Sequence, residues 1–447
     1  MVRRVQADAR VPAVSAALHR ADRPLWTVQV GGTGNDTPLD ADTRFRIGSV
    51  TKTFTAVLVL QCRDDGLLDL DDPLGRHLDV PAHGELSIRR LLSHTAGIQR
   101  EPYGDVWDTL RPPPVPQLLA ELAQAERVLP AGRRYHYSNL GLALLGHLAG
   151  RLRGGTWAEV LAERILRPLD LAATTVGATD RSATGFLVDA YSDHARPEPP
   201  TDFAAVAPAA QLWSTAADMA RWAAFLADPA AVDPAGRVLP PATVEEMRWP
   251  GTVTDEALWG AGIGLGLMLV PRGERVMHVG HYGAMPGFLA GVFGQRGGDG
   301  TPGALGCAVL GSAGTADALL DLVHDLLTAA VVEDPADIAP WRPGGAAPPA
   351  YASALGRWWS EGFGHDFGWH GGQLQARAAG APAGRPPTVF EPVDGRPDLL
   401  RAVSGREAGE LLRLTRDEAG VVVRMHWATY RYTRVQETFD GVPAGQP

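Results

Sequence analysis

Strand-like segments stand at both ends of the first three quarters of this chain, and helical ones fill the space between. The runs "VPAVSAALHRA" and "PLWTVQVGG" alternate like strands, and the short gap between them suits a hairpin. From 87 to 250 the periodicity is helical. There "TWAEVLAERIL" opens with Thr156 and Glu159, and "STAADMARWAAFLAD" carries Thr215 and Asp218, both at capping-box spacing. Strand-like runs then return in "GIGLGLMLV", "FLAGVFGQ" and "GALGCAVLGS", and the amphipathic "TADALLDLVHDLLTAAV" ends the region near residue 332. Strands on either side of a helical middle predict one sheet gathered from distant segments, with helices packed against it. The expected class is α/β (α+β), an antiparallel sheet flanked by helices and a helical subdomain.

The texture changes after that. Residues 336–350, "ADIAPWRPGGAAPPA", read as a linker from their Pro, Gly and Ala content. Beyond them "GELLRLTRD" and "VVVRMHWATYRYTRV" alternate, and "VDGRPD" signals a turn. The organisation expected is a first domain over 1–335, the linker, and a small β-rich domain over 351–447. Five aromatics within "GRWWSEGFGHDFGWHGG" suit the core of that second domain better than a ligand pocket.

Between the first hairpin and the helical middle, a helix is predicted from about Ser49 to Asp65, stopped by Gly66. Its run Ala56 to Leu60 makes it apolar nearly all round, the mark of a buried central helix. Near its start stands Lys52, the single lysine among 41 basic side chains; the other 40 (41 less one) are arginines. Arginine in place of lysine is a compositional habit of this chain, so the exception is the informative residue. Serine is also scarce, at 12 in 447. Chance places one three positions before a given lysine about once in forty.

Ser49 and Lys52 are three apart and so share a helical face. A serine hydroxyl is a weak nucleophile until a base takes its proton. Burial and the positive helix end both disfavour an ammonium, leaving a neutral amine able to act as that base. A guanidinium stays protonated and has no such form. A lone lysine near a helix start is more often a solvated charge, so companions matter. "YHYSNLG" places Tyr137, Ser138 and Asn139 before an apolar helix, where Ser138 or Asn139 equally fits an N-cap. "HYGAMPGF" places His281 and Gly283 before a strand-like run. A small residue there lets substrate lie along a strand edge, and a backbone N–H near Ala284 can help bind an oxyanion.

In this order Ser-x-x-Lys, Tyr-Ser-Asn and His-x-Gly resemble the serine β-lactamase and penicillin-binding protein superfamily. The likeness is closest to class C β-lactamase-like esterases, D-aminopeptidases and D-alanyl-D-alanine peptidases. The phrases "TRFRIGSVTKTFTA", "GLLDLDDPL", "LLSHTAGI" and "LWSTAADMARW" look like that group as well, and the resemblance covers about residues 10–332. It implies a β-lactamase/transpeptidase-like fold and an acyl-accepting Ser49. It also implies proton transfer shared by Lys52 and Tyr137, and substrate orientation by Asn139 and His281. An oxyanion hole would come from the N–H groups of Ser49 and Ala284. The implied activity is hydrolysis of ester or amide bonds, of esterase or D-amino-acid peptidase type. A true β-lactamase or D-alanyl-D-alanine carboxypeptidase, and a sensor acylated without turnover, are the alternatives. Many relatives carry lysine where this chain has His281, which weakens any fixed demand for a substrate carboxylate. The β-rich domain resembles the lipocalin-like appendages of some such hydrolases.

Other chemistries find little support. A net charge of −10 gives no reason to expect nucleic acid or an anionic membrane as partner. Cys62 and Cys307 stand far apart in apolar runs and read as buried free thiols. His278 and His281 lack a metal-ligand pattern, and the aspartates of "DDGLLDLDDPL" lack calcium-loop spacing. No cofactor is implied. Ser93 and His94, adjacent in "LLSHTAGI", face each other poorly for a triad, and no Gly-x-Ser-x-Gly elbow occurs. The basic start "MVRRVQADARV" has too short an apolar run for a secretory signal, and no segment reaches the ~18 apolar residues of a membrane span. A cytoplasmic enzyme acting on a small-molecule ester, amide or peptide is the expectation.

Overall fold

The computed structural model describes all residues except 35–37, 133, 256, 274, 298–300, 338–339, 383–384, 439 and 444–447. The chain divides into two compact units, Met1–Asp337 and Ile338–Pro447.

The first unit is built on an eight-stranded antiparallel sheet. Its strands are β1 (Ala13–His19), β2 (Trp26–Gly31), β3 (Thr252–Val253), β4 (Gly262–Ile263), β5 (Met268–Pro271), β6 (Met277–Met285), β7 (Phe288–Arg296) and β8 (Gly306–Gly311), in the order β2-β1-β8-β7-β6-β5-β4-β3. The N-terminal hairpin therefore pairs with the last strand of the unit: Val14 lies opposite Gly311, and His19 opposite Gly306. The expected assembly from distant segments is the one observed. It follows from the alternation of "AVSAALH", whose inward positions need a partner that the helical middle does not provide.

Helices cover both faces. The helix Ala216–Ala227 packs on β1, β7 and β8 from one side, and Ala318–Glu333 packs on β7 and β8 from the other. Strand glycines allow the close approach: a Cβ on Gly306 would stand 2.2 Å from the Ala220 carbonyl oxygen. Thr156 and Glu159 form the full capping box. At Thr215 only half of it exists. The Asp218 N–H does bond to Thr215 Oγ1, but the Asp218 carboxylate accepts from Ala173 N and Thr174 Oγ1 instead of returning to the cap.

Helix Thr51–Asp64 runs through the centre, with every residue from Thr51 to Cys62 buried. Phe54 stacks on Trp222 at 3.9 Å. Its threonines are satisfied by neighbours: Trp222 Nε1 donates to Thr53 Oγ1 at 2.8 Å, and Thr55 Oγ1 donates to the Pro208 carbonyl at 2.7 Å. Both cysteines are buried and free.

The second unit is a meander of eight antiparallel strands from Gly356–Ser360 to Tyr430–Tyr432, each paired with the next. Its core includes Trp358, Phe367, Phe390 and Trp427. The segment read as linker ends differently from expectation. Pro349–Ala352 forms a short helix, and Tyr351 on it belongs to this core. The proline at its start has no N–H to satisfy and a φ already suited to a first helical turn.

Candidate active site

Ser49 sits in a single 3₁₀ turn, Gly48–Val50, that leads into the central helix. Gly48 holds φ +49°, and a Cβ on it would lie 2.8 Å from the Ala284 nitrogen, so the turn is pressed against strand β6. A second segment clamps it from behind. The Ile47 N–H donates to Leu212 O at 2.9 Å, and the Leu212 N–H to Thr51 Oγ1 at 3.2 Å.

Lys52 is fully buried. Its Nζ lies 2.9 Å from Ser49 Oγ and 2.8 Å from the Ala209 carbonyl oxygen. Burial lowers its pKa well below the ordinary value; Glu101 opposes that shift and Arg100 adds to it. The same nitrogen stands 4.8 Å from the centre of the Tyr137 ring. Tyr137 is hydrogen-bonded to Ser49, yet burial pushes its phenol upward, so it is a neutral phenol near pH 7.

Ser138 is the N-cap of helix Asn139–Leu152, with its Oγ accepting from Gly141 N at 3.0 Å. That cap fixes Tyr137 on one side and Asn139 on the other. Asn139 Nδ2 donates to Glu101 Oε1 at 2.5 Å, and its backbone N–H to Arg100 O at 2.7 Å.

His281 and Gly283 lie inside β6, where the sequence had placed them ahead of a strand. The hairpin tip, Pro286–Gly287, follows them. Strand β5 pairs only with Met277–Gly280, which leaves the edge from His281 to Met285 unpaired on that side. The two-residue turn makes Met285–Phe288 the hydrogen-bonded pair and Ala284–Leu289 the next, non-bonded one. The Ala284 N–H is therefore directed away from β7. Gly283 lines the cleft, and its smallness has a further use. A Cβ there would stand 1.9 Å from the Ile47 carbonyl oxygen, so the glycine lets β6 touch the serine's own turn. His281 Nδ1 donates to the Tyr282 carbonyl. Burial, helped by Lys52, lowers its pKa to about 3, so the ring is neutral.

These residues share one cleft of about 510 Å³, lined by Ser49, Tyr137, Asn139, His281, Gly283 and Ala284. Lys52 lies beneath it. Arg100, Glu101, Trp107 and Tyr135 line it too, and nothing in their sequence pattern marks them. His94 was the readable omission. Its ring stacks on Tyr137 at 4.5 Å, its Nδ1 accepts from the Ser138 N–H at 3.1 Å, and its backbone holds φ +55°. Ser93 is turned elsewhere, donating to Arg89 O at 2.9 Å. His278 bonds to His324 and Gln295, and no cluster of metal-ligating side chains occurs among the described residues.

A β-lactamase family model matches residues 1–304. This chain belongs to the β-lactamase family. A second model, described as a domain of unknown function (DUF7586), matches residues 347–434. Penicillin-binding protein 4 of Amycolatopsis lactamdurans is 30% identical over 57% of this chain and 69% of its own length. Other curated β-lactamase-like relatives are longer: the chain spans about half of them, 44% and 48% in two cases. The crystal structure of SurE resembles the chain over 97% of both, at 26% identity and TM-score 0.62. D-amino acid amidase from Ochrobactrum anthropi SV3, solved with L-phenylalanine amide, aligns with 74% of this chain and 96% of its own, at 25% identity and TM-score 0.57. Within this β-lactamase-family chain, no helix among the described residues is long and apolar enough to cross a membrane.

Proposed function

We propose that the chain is a serine hydrolase that cleaves small-molecule esters, amides or peptides through an acyl-enzyme on Ser49. The carrying observation is the fully buried Lys52 amine 2.9 Å from the Ser49 hydroxyl. In this reading Ser49 Oγ attacks the carbonyl carbon while Lys52 Nζ takes its proton. The oxyanion that forms is held by the N–H groups of Ser49 and Ala284. Tyr137 gives its phenolic proton to the leaving group and recovers one from Lys52. Water then attacks the acyl-enzyme, its proton following the same route in reverse, and the acid leaves Ser49. Each proton-transfer group contributes roughly a hundredfold or more.

Esterase or D-amino-acid peptidase and amidase activity is favoured over that of a β-lactamase or a D-alanyl-D-alanine carboxypeptidase. The supporting observation is His281, whose buried neutral ring offers an acceptor nitrogen where a fixed cation would attract a carboxylate. The likeness to a D-amino acid amidase points the same way.

The test is a panel of p-nitrophenyl esters, D-amino-acid amides, D-Ala-D-Ala peptides and nitrocefin, read by product release and intact mass. Turnover of esters or amides, with a transient acyl mass lost in Ser49→Ala, is expected. Stoichiometric labelling without release would make the protein an acylated sensor. Label on another residue would end the proposal.

A further inference from the structure

The second unit contains a cavity that the serine site does not use. The first and last strands of its meander are joined by reciprocal hydrogen bonds, Trp359 N to Thr433 O at 2.8 Å and Thr433 N to Trp359 O at 3.0 Å. The sheet thus closes on itself, and an eight-stranded barrel has room for packed side chains or one small ligand. Packing fills one end, where Tyr351 stacks on Trp369 at 5.6 Å. The other end stays open. There Ala378 stands opposite His365 in the ladder and Ala376 opposite Phe367, small residues facing rings. A cavity of about 330 Å³ results, lined by Glu361, His365, Arg406, Glu407, Trp427 and Tyr432 among others.

One residue of its wall, Trp427, has a buried ring nitrogen, Nε1, without a hydrogen-bond partner. Trp427 is only 5% exposed. Three other buried tryptophans are satisfied: Trp358 Nε1 donates to Ala354 O at 2.7 Å, Trp157 Nε1 to Thr55 Oγ1 at 3.0 Å, and Trp222 Nε1 to Thr53 Oγ1 at 2.8 Å. An orphaned buried donor is costly, because it has given up its bond to water and gained none. In a roomy cavity that deficit is the signature of an acceptor supplied from outside. The charges around it are Glu361 and Glu407 against the single Arg406, whose Nε is 3.9 Å from Glu407 Oε1. Burial raises the Tyr432 phenol, and both carboxylates raise it further, so the cavity is electronegative. Aromatic side chains line it, with His365 5.3 Å and Trp427 6.1 Å from Tyr432, and the rings of Trp and Tyr attract cations. Arg377 and Arg385 line an adjoining recess.

We propose that this barrel cavity binds a small primary ammonium compound with a carbonyl beside the amine, the chemistry of an amino-acid amide. The carbonyl accepts from Trp427 Nε1, and the ammonium faces Tyr432 and the carboxylates of Glu361 and Glu407.

The experiment is calorimetric titration of the full chain, in a Ser49→Ala background that prevents turnover. Three probes share one skeleton: phenylglycine amide, phenylacetamide and phenylacetate. Phenylglycine amide should bind at least about tenfold more tightly than phenylacetamide, and phenylacetate should bind least. Trp427→Phe keeps the ring, removes the N–H, and should weaken phenylglycine amide about fivefold. Glu407→Gln, at the rim, should erase the preference for the amine; it carries the test alone if thermal melting shows Trp427→Phe unfolded. The proposal is overturned if no probe binds, if phenylacetate matches phenylglycine amide, or if binding survives both substitutions, which would place it elsewhere in the chain.

Discussion

Lys52 Nζ and Ser49 Oγ are 2.9 Å apart, and the lysine has no access to solvent. A neutral amine in that place donates to the Ala209 carbonyl and still has a lone pair for the serine proton. Lys52→Arg puts a permanent cation there and has no lone pair to offer. Acylation should fall by about 10²–10⁴, read as the burst of p-nitrophenol. Since a guanidinium is wider than the site, Lys52→Met is the companion variant. Near-native length without a charge should leave its melting temperature unchanged or raised while acylation is lost. Near-normal acylation in both variants would remove Lys52 from the role of base.

The pH dependence carries the same claim with a definite sign. In the proposed mechanism the active form has an unprotonated Lys52, so the rate should rise with pH through the pKa of that amine. Burial sets it well below the ordinary lysine value. The kcat/KM profile should therefore reach its plateau well before pH 10. It should hold into the alkaline range, because burial pushes the Tyr137 phenol upward. A profile still climbing through pH 10 would mean that the amine has ordinary basicity.

Much of this could be read before any coordinates existed, because it lives in local pattern. The Ser49–Lys52 spacing on a helix too apolar to be exposed is a local fact, and so is Ser138 ahead of an apolar run. The antiparallel sheet was legible because alternation at both ends of the first unit left faces that only each other could cover. What stayed hidden depends on tertiary approach. Gly283 looked like room for substrate, and its close contact with Ile47, a residue distant in sequence, could not be read there. Glu101 and Arg100 occupy a loop without periodicity, so only the fold brings them to Asn139. The Asp218 carboxylate was assigned to its own cap, and Thr174 competes for it more effectively.

His94 offers a positioning test. Its ring supports Tyr137 at 4.5 Å, and its Nδ1 holds the next backbone N–H. Asparagine tolerates the left-handed backbone of that position and removes the ring. His94→Asn should lower kcat about tenfold with little change in KM, and Ser49 should still be labelled by a slow acylating probe. A matching loss of labelling and thermal stability would assign His94 to folding alone.

Acid should destabilise the first unit through a buried chain of neutral groups. Tyr282 Oη lies 2.5 Å from His324 Nε2, His324 Nδ1 lies 2.7 Å from His278 Nδ1, and His278 Nε2 lies 3.2 Å from Gln295 Oε1. Gln295 Nε2 donates to Thr301 Oγ1 at 2.8 Å, which makes Oε1 the acceptor and His278 Nε2 the donor. Both shared Nδ1 positions then hold one proton, on His324, and Tyr282 donates to the remaining nitrogen. Every ring is neutral, and a further proton has no acceptor. Burial accordingly lowers His278 to about 4 and His324 to about 3. The unfolded chain takes up these protons below about 6.5 while the folded one does not. The stability they confer is complete above that pH and is lost as pH falls from about 6.5 toward 4 and 3. Each group contributes a slope of about 1.4 kcal/mol per pH unit in that window. His324→Gln removes one such proton, so unfolding free energy against pH should be shallower by about one proton between pH 6 and 4. An unchanged slope in that range would show that the pair is not what makes the unit acid-sensitive.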